Sequence, residues 1–384
     1  MWIVTLLLII LYPNIAPAGT ACKPALANLL KLYREQNREM MLTRIENATN
    51  KHKFLRSFIP YYYNRAHRLR EVLPVYQRLH RHRGQIVGDA HVENFGFLVD
   101  NRGRPRLTMN DFDDTAEAPL FLDVLRLSQS ASYVSDVPKA AALEAYRQGL
   151  LNQQRPLSRY LRELQERASR GGLRSKADFE IRRGQVRFRE RQRPSFDTTP
   201  AEVTALETAL REKFPGAALQ DSYRTMKESG GSAFGTRYHA LVQINGETQL
   251  VEFKEILSGG VLPPWSSRMP DGDRVRRGQA RVLGEEFDRN LDVVNLNGRA
   301  FQLRIKVRGN QSIDLSEVRG RDIPAVIQDE FYLLGQLHRN SLGGTDAGVS
   351  AYAADLARVS TDDWEASVRI MKREIRRVYD DVND

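Results

Sequence analysis

Cysteine is all but missing. Cys22 is the single one in 384 residues, so no disulfide can close within the chain and no cysteine-built metal site can form. Long apolar runs are missing too. The sustained one, "WIVTLLLIILY" at residues 2 to 12, is far short of the roughly 20 residues that span a bilayer. No Lys or Arg stands ahead of it. Histidine is scarce, at seven, and internal repeats and low-complexity tracts are absent. Acid is in the minority: 48 Asp and Glu against 58 Lys and Arg leave a net charge of +10. Such a balance suits anionic partners such as phosphates, and equally suits plain solubility.

What is present describes a folded body. The chain is 41% hydrophobic and 28% charged, with length enough for two lobes. The apolar run is followed by Ala16-Pro17-Ala18 and Gly19-Thr20-Ala21, small residues of the kind a signal peptidase reads. A leader over 1–18 or 1–21 is expected, giving an exported, periplasmic protein. A start codon set too far upstream would instead leave a cytoplasmic one. Membrane contact is expected only through this segment if it is uncleaved, and nucleic acid is not an expected partner.

Helical spacing dominates 24–49, 120–134 and 140–166. Near the C-terminus it returns from about 322 and over 361–379. Strand-like alternation with an Asn245-Gly246 turn occupies the middle. Thr199-Pro200-Ala201-Glu202 reads as a capping box with proline at the first helical position. The expected class is α+β: a helical lobe from 22–220, a β-rich lobe from 221–310, and C-terminal helices over 311–384 that complete the first lobe.

Against its basic background the chain gathers acids at two points of "GQIVGDAHVENFGFLVDNRGRPRLTMNDFDDT", residues 84–115. Asp89 is followed five positions later by Asn94. After an expected hairpin about Asn101-Arg102-Gly103 come Asp111, Asp113 and Asp114. Phosphoryl transfer in kinases uses such a set. One aspartate accepts the proton of the attacking hydroxyl, while an asparagine and a later aspartate hold metal on the nucleotide phosphates. Asp89 is therefore the expected base. Asn94, Asp111 and Asp113 are the expected Mg²⁺ ligands, since Mg²⁺ takes hard oxygen donors. Asp89→Ala should abolish transfer and leave the fold intact. The bland reading makes the same residues loop and helix caps, with His91 orienting the loop.

A kinase also needs a glycine turn over the phosphates and a strand lysine. "SGGSAFGTRYHALVQI" supplies Gly231, Ser232 and Gly235 before a strand, and "LVEFKEIL" sets Lys254 among apolar neighbours. These are the expected nucleotide-binding residues, with ATP as nucleotide; the bland alternative is an exposed edge-strand lysine. The order is inverted, because the acid half comes first. "LLGQLHRN", residues 333–340, resembles the helix that precedes the catalytic loop of aminoglycoside phosphotransferases, yet lies near the C-terminus. One cut explains every displacement: a circularly permuted, two-lobed kinase-like fold.

"GDAHVENFG", "NDFDDT" with "FLDVLRLSQS", "GSAFGTRY", "FKE" and "RGQARV", in this order, resemble the bacterial family called domain of unknown function 2252. The resemblance covers most of 50–345 and is strongest over 86–130. It implies kinship with the protein kinase and aminoglycoside phosphotransferase superfamily, with Asp89 as base, Asn94 and Asp111 as metal ligands and Lys254 on phosphate. In two places the chain departs from the pattern. Asn64-Arg65-Ala66 lacks the family's glycine after Arg65. The helix carrying Gln279 and Arg281 offers no glutamate for Lys254, leaving Glu285 or Glu286.

The leading expectation is thus Mg²⁺/ATP-dependent phosphoryl or nucleotidyl transfer to an unidentified small-molecule or protein acceptor. The alternative is an exported, non-catalytic pseudokinase that binds its ligand, since an exported protein would meet little ATP. A metal phosphoesterase stands third: His80-Arg81-His82 precedes Gly88 where that class needs histidines after it.

Overall fold

The computed structural model describes residues 24–33, 38–189, 195–227, 233–261, 263–287, 290–342 and 346–383. The expected leader and the residues Gly231 and Ser232 lie outside them. Helices α1 (Pro24–Leu32), α2 (Arg38–Asn47), α3 (Lys51–Ser57), α4 (Ile59–Arg68) and α5 (Tyr76–Leu79) come first. Short strands β1 (Arg83–Ile86), β2 (Phe95–Val99), β3 (Pro105–Met109) and β4 (Ala116–Pro119) follow. Next are α6 (Phe121–Ala131), α7 (Lys139–Leu150), α8 (Arg159–Gly171), and a hairpin of β5 (Phe179–Arg182) and β6 (Gln185–Phe188). Then come β7 (Ser195–Asp197), α9 (Pro200–Lys213), β8 (Ala218–Met226), β9 (Thr236–Ile244), β10 (Glu247–Glu255) and α10 (Asp271–Leu283). The chain closes with β11 (Leu291–Leu296), β12 (Arg299–Lys306), β13 (Gln311–Ser312), α11 (Ile323–Ser341), α12 (Asp346–Ala357) and α13 (Thr361–Asn383).

The class is mixed α+β. The principal sheet is antiparallel with order β11-β12-β10-β9-β8-β7. Asn245 and Gly246 both have positive φ, as the tight turn joining β9 to β10 requires. One face of the sheet is apolar. Val251, Phe253, Phe301 and Leu303 meet Leu206 and Leu210 of α9 there, each such side chain contributing about 1.5–3 kcal/mol by burial. The capping box is present: Thr199 accepts from the Glu202 amide while Glu202 accepts from the Thr199 amide, beside Pro200. The sheet unit therefore begins at Ser195, not at 221. The apolar stripe of α9 is complementary to the sheet, which helical spacing alone does not reveal.

The second core is helical. Trp364 of α13 is fully buried and donates to Ser128 Oγ of α6 at 3.0 Å. Leu334 of α11 and Leu125 of α6 belong to the same core, so the C-terminal helices complete the helical body. The small ladders β1–β4 and β13-β2-β3 lie in this body and carry the acid stretch. No helix among the described residues is long and apolar enough to cross a membrane.

Candidate functional site

Strand β1 leads into a turn at Val87-Gly88, and the fold pins this turn from beneath. Asp123, fully buried on α6, accepts from the Val87 amide at 2.7 Å and the Gly88 amide at 3.1 Å. His338 of α11, also fully buried, lies 3.1 Å from Asp123 through Nε2, and its Nδ1 meets the Tyr146 hydroxyl at 2.6 Å. The Tyr63 hydroxyl donates to the Gly88 carbonyl at 2.6 Å. Gly88 has φ +81°, and a Cβ there would fall 1.9 Å from the Asp114 carbonyl oxygen. Only glycine lets the two acid loops touch. Gly88→Ala should cost several kcal/mol, from the left-handed strain of about 1–2 kcal/mol plus the backbone clash. A chemical denaturation midpoint equal to that of the parent protein would contradict this contact.

Past that turn, Asp89 enters the site. Its Oδ1 accepts from Arg126 Nη2 at 2.5 Å, and its Oδ2 lies 3.4 Å from His91 Nε2. Burial raises the Asp89 carboxyl, but His91 and Arg126 outweigh it and hold the group well below the usual carboxylate range. His91 turns its Nδ1 to the Val92 carbonyl at 2.5 Å. Asn94 donates from Nδ2 to the Asp89 carbonyl at 3.0 Å, which closes the loop and leaves its Oδ1 for another partner.

Hairpin β2–β3 returns the chain to the second cluster. Asp111 and Asp113 both reach Lys254 Nζ, each at 2.5 Å through Oδ2. Lys254 is the penultimate residue of β10, with its side chain 6% exposed. Burial lowers Lys254, yet the two aspartates raise it further. Burial raises Asp111, and Lys254 more than reverses that. Asp113 is pushed up to about 6 by burial and by Asp111, and its Oδ1 is buried without a hydrogen-bond partner. Asp114 is pushed up to about 7, by burial first and the Asp89 charge second, while its Oδ1 accepts from the Gly260 amide at 2.6 Å. Arg274 of α10 clamps the loop by donating to the carbonyls of Asp113 and Thr115.

A carboxyl raised in the folded state stabilises the fold fully below its unfolded value of about 4, and that contribution is lost as pH rises through the folded value. For Asp114 the window is therefore pH 4 to 7. Asp114→Asn keeps an acceptor for Gly260 and removes the titration. Relative to the parent protein its melting temperature in EDTA should climb from pH 5 to pH 8. A pH-independent difference would refute the raised value.

These groups line a cavity of about 120 Å³: Asp89, His91, Asn94, Asp111, Asp113 and Asp114 with Arg56, Glu93, Lys227, Leu257 and Ser258. The structure thus brings the expected base, the three expected metal ligands and the strand lysine to one place, with Lys254 tucked behind the aspartates. Gly235 stands at the exit of the glycine turn, just before β9, and does not line the cavity. The described residues on either side, Lys227 and Ala233-Phe234, are tied together and to α2. The Phe234 amide donates to the Lys227 carbonyl at 2.7 Å, and buried Arg44 of α2 donates to the Ala233 carbonyl at 3.2 Å. Glu285 and Glu286 do not serve Lys254: Glu286 pairs with Arg106 at 3.3 Å, on the hairpin side.

Sequence reasoning missed Asp123, Arg126 and Arg274. For the first two a signal existed: an acid and a base three apart in "FLDVLRLSQS", an apolar helix that leaves them no wet face. Arg274 carries no such mark.

Asn94, Asp111 and Asp113 present hard oxygens only, and Asp113 Oδ1 awaits a partner, so the donor set suits Mg²⁺. Among the described residues no three His, Cys, Asp or Glu side chains gather as a metal site unaided.

The chain is thus an α+β protein with an acidic, lysine-backed cavity between a helical body and an antiparallel sheet. Residues 40–148 match the model of a family described as "Uncharacterized protein conserved in bacteria (DUF2252)". This span holds the acid half of the cavity and stops short of Lys254. No curated protein and no solved structure matches the chain.

Proposed function

We propose that the protein is a phosphotransferase of two-lobed, kinase-like and circularly permuted architecture. It takes ATP with Mg²⁺ and transfers a phosphoryl or nucleotidyl group to an acceptor hydroxyl. The observation that carries this reading is Lys254 reaching Asp111 and Asp113 at 2.5 Å across a cavity that also holds Asp89 and Asn94. Counted from the strand that enters the glycine turn, β8, Lys254 lies on the third strand, β10, and a helix, α10, follows. Kinases place their phosphate lysine and its helix in this sequence. The permutation is supported at the other end: Ser341, which closes α11, abuts Gly84 at the start of β1, so a Cβ on Gly84 would meet its Oγ at 2.7 Å. A chain joined there would run from α11 straight into the Asp89 loop.

Asn94, Asp111 and Asp113 would hold the metal, which when bound would neutralise negative charge on the phosphates. With Asp111 and Asp113 so engaged, Lys254 turns its ammonium to phosphate. The acceptor oxygen attacks the terminal phosphorus for phosphoryl transfer, or the α-phosphorus for nucleotidyl transfer. The bond to the departing phosphate oxygen breaks, and the hydroxyl proton passes to Asp89. A carboxylate held this acidic by Arg126 is a weak base, which suits a loose transition state in which the proton leaves late. His91 is the one histidine of the cavity, so a phosphoesterase with several histidine ligands has less support.

One feature favours a second reading, a pseudokinase binding module: α10 supplies no glutamate to Lys254 and uses Arg274 on the acid loop instead. Incubation with Mg²⁺ and γ- or α-labelled ATP decides between them. Label transferred or released by the parent protein and lost in Asp89→Asn supports the transferase. Binding with no turnover supports the module, and no binding at all removes both. Asp111→Asn should mainly weaken Mg²⁺-nucleotide binding, raising the Kd about tenfold or more through loss of a charged ligand.

A further inference from the structure

We propose that the donor is recognised through its phosphate chain alone, with no nucleobase pocket among the described residues beside Lys254, so that linear polyphosphates serve as well as nucleoside triphosphates. The inference rests on the phosphotransferase reading and narrows its substrate class. Residues paired across an antiparallel sheet share a face, as do alternate residues along a strand. Lys254 is flanked by Arg237 on β9 and Gln302 on β12, and the next pair along is His239 and Arg304 around Glu252. A base whose phosphates reach Lys254 would have to lie against this patch.

The patch is polar throughout and mostly charged. Glu252 is buried, with Arg237 Nη1 and Lys306 Nζ each 3.6 Å from its carboxylate. Arg304 donates to the Asn110 carbonyl at 2.8 Å. In the protein-kinase pattern the residue two after the last glycine is valine, and the residue two before the lysine is alanine. The same positions here are Arg237, two after Gly235, and Glu252, two before Lys254. Ring pockets are lined mostly by apolar groups. A purine placed here would strip solvent from ion pairs and gain no apolar wall. A phosphate chain has the opposite needs: Arg56 and Lys227 line the small cavity, Lys254 pairs with Asp111 and Asp113 of its wall, and Arg237 stands opposite Lys254 on β9. Its volume of about 120 Å³ suits phosphate groups; pockets that enclose drug-sized ligands begin near roughly 300 Å³.

Calorimetric titration of the full chain in Mg²⁺ with tripolyphosphate, ATP, GTP and adenosine tests this. Tripolyphosphate, ATP and GTP are expected to bind within about tenfold of one another, and adenosine to give no heat. ATP binding more than about tenfold tighter than either tripolyphosphate or GTP overturns the inference and leaves the phosphotransferase reading standing. Failure of all three to bind overturns both. Arg237→Val should weaken tripolyphosphate by about fivefold or more; a folded variant with parental affinity also overturns the inference.

Discussion

Replacing Asp89 with alanine should remove the proposed transfer activity and, with it, much of the stability of the fold. The sequence suggests that only activity would suffer, but the contact with Arg126 changes that expectation. Arg126 has no exposed side-chain surface, and Asp89 is its one ion-pair partner among the described residues. It donates otherwise to the Leu55 carbonyl at 3.0 Å and lies over the Tyr62 ring, while its Nε and Nη1 already lack partners. Taking away the carboxylate strands a buried guanidinium, a change that costs about 3–5 kcal/mol. Asp89→Asn separates the two roles. The amide oxygen still accepts from Arg126, so the stability loss should be the smaller one. Transfer should still fall by about 10²–10⁴-fold, since the amide takes no proton. Asp89→Ala combined with Arg126→Met should regain stability and no activity. Denaturant midpoints and initial rates on the three variants give the answer; near-parental transfer in Asp89→Asn would sink the assignment of the base.

Lys254→Met should have an effect of similar size and a sign that depends on solution conditions. In the metal-free protein the ammonium is shared by Asp111 and Asp113. Without it two neighbouring carboxylates repel, at a cost of about 3–5 kcal/mol at pH 8. Two treatments should recover the loss. Acid does so because Asp113, already pushed up to about 6 beside Lys254, takes up a proton below that pH. Mg²⁺ does so because it supplies the charge that the lysine gave. In the absence of any phosphate the variant should bind Mg²⁺ about tenfold or more tightly than the parent protein, since a competing cation has gone. Transfer should nonetheless vanish, because nothing carries the lysine's charge to the donor phosphates. Equal Mg²⁺ affinity in the two proteins would show that Asp111 and Asp113 are not the metal ligands.

The parts of this site that could be read from sequence are those that make local sense. The hairpin between β2 and β3 has its Asn101–Gly103 turn, and β10 shows a lysine between apolar neighbours. The acid clusters stand out because they sit among apolar residues in a chain with an excess of basic ones. Partnership was the illegible part. Lys254 and Asp111 are 143 positions apart, and Asp123 and His338 are 215 apart. A charge on a strand announces that it needs a counterion, but any acid within reach after folding can answer. Glu285 and Glu286 were nearer in sequence and had the right sign, yet the chain spends Glu286 on Arg106. The start of the sheet unit was missed for a related reason: α9 has the spacing of any amphipathic helix, and only the register of β8 and β9 decides which core it covers.

Arg274 has a mechanical consequence. In donating to the backbone of Asp113 and Thr115 it joins α10 to the acid loop without using any group that binds metal or substrate. A helix that could tilt independently would leave the aspartates in place. This one carries them along, so α10 acts as a handle. A tilt of α10 would therefore shift the Asp113 backbone, and with it the spacing of that carboxylate from Lys254.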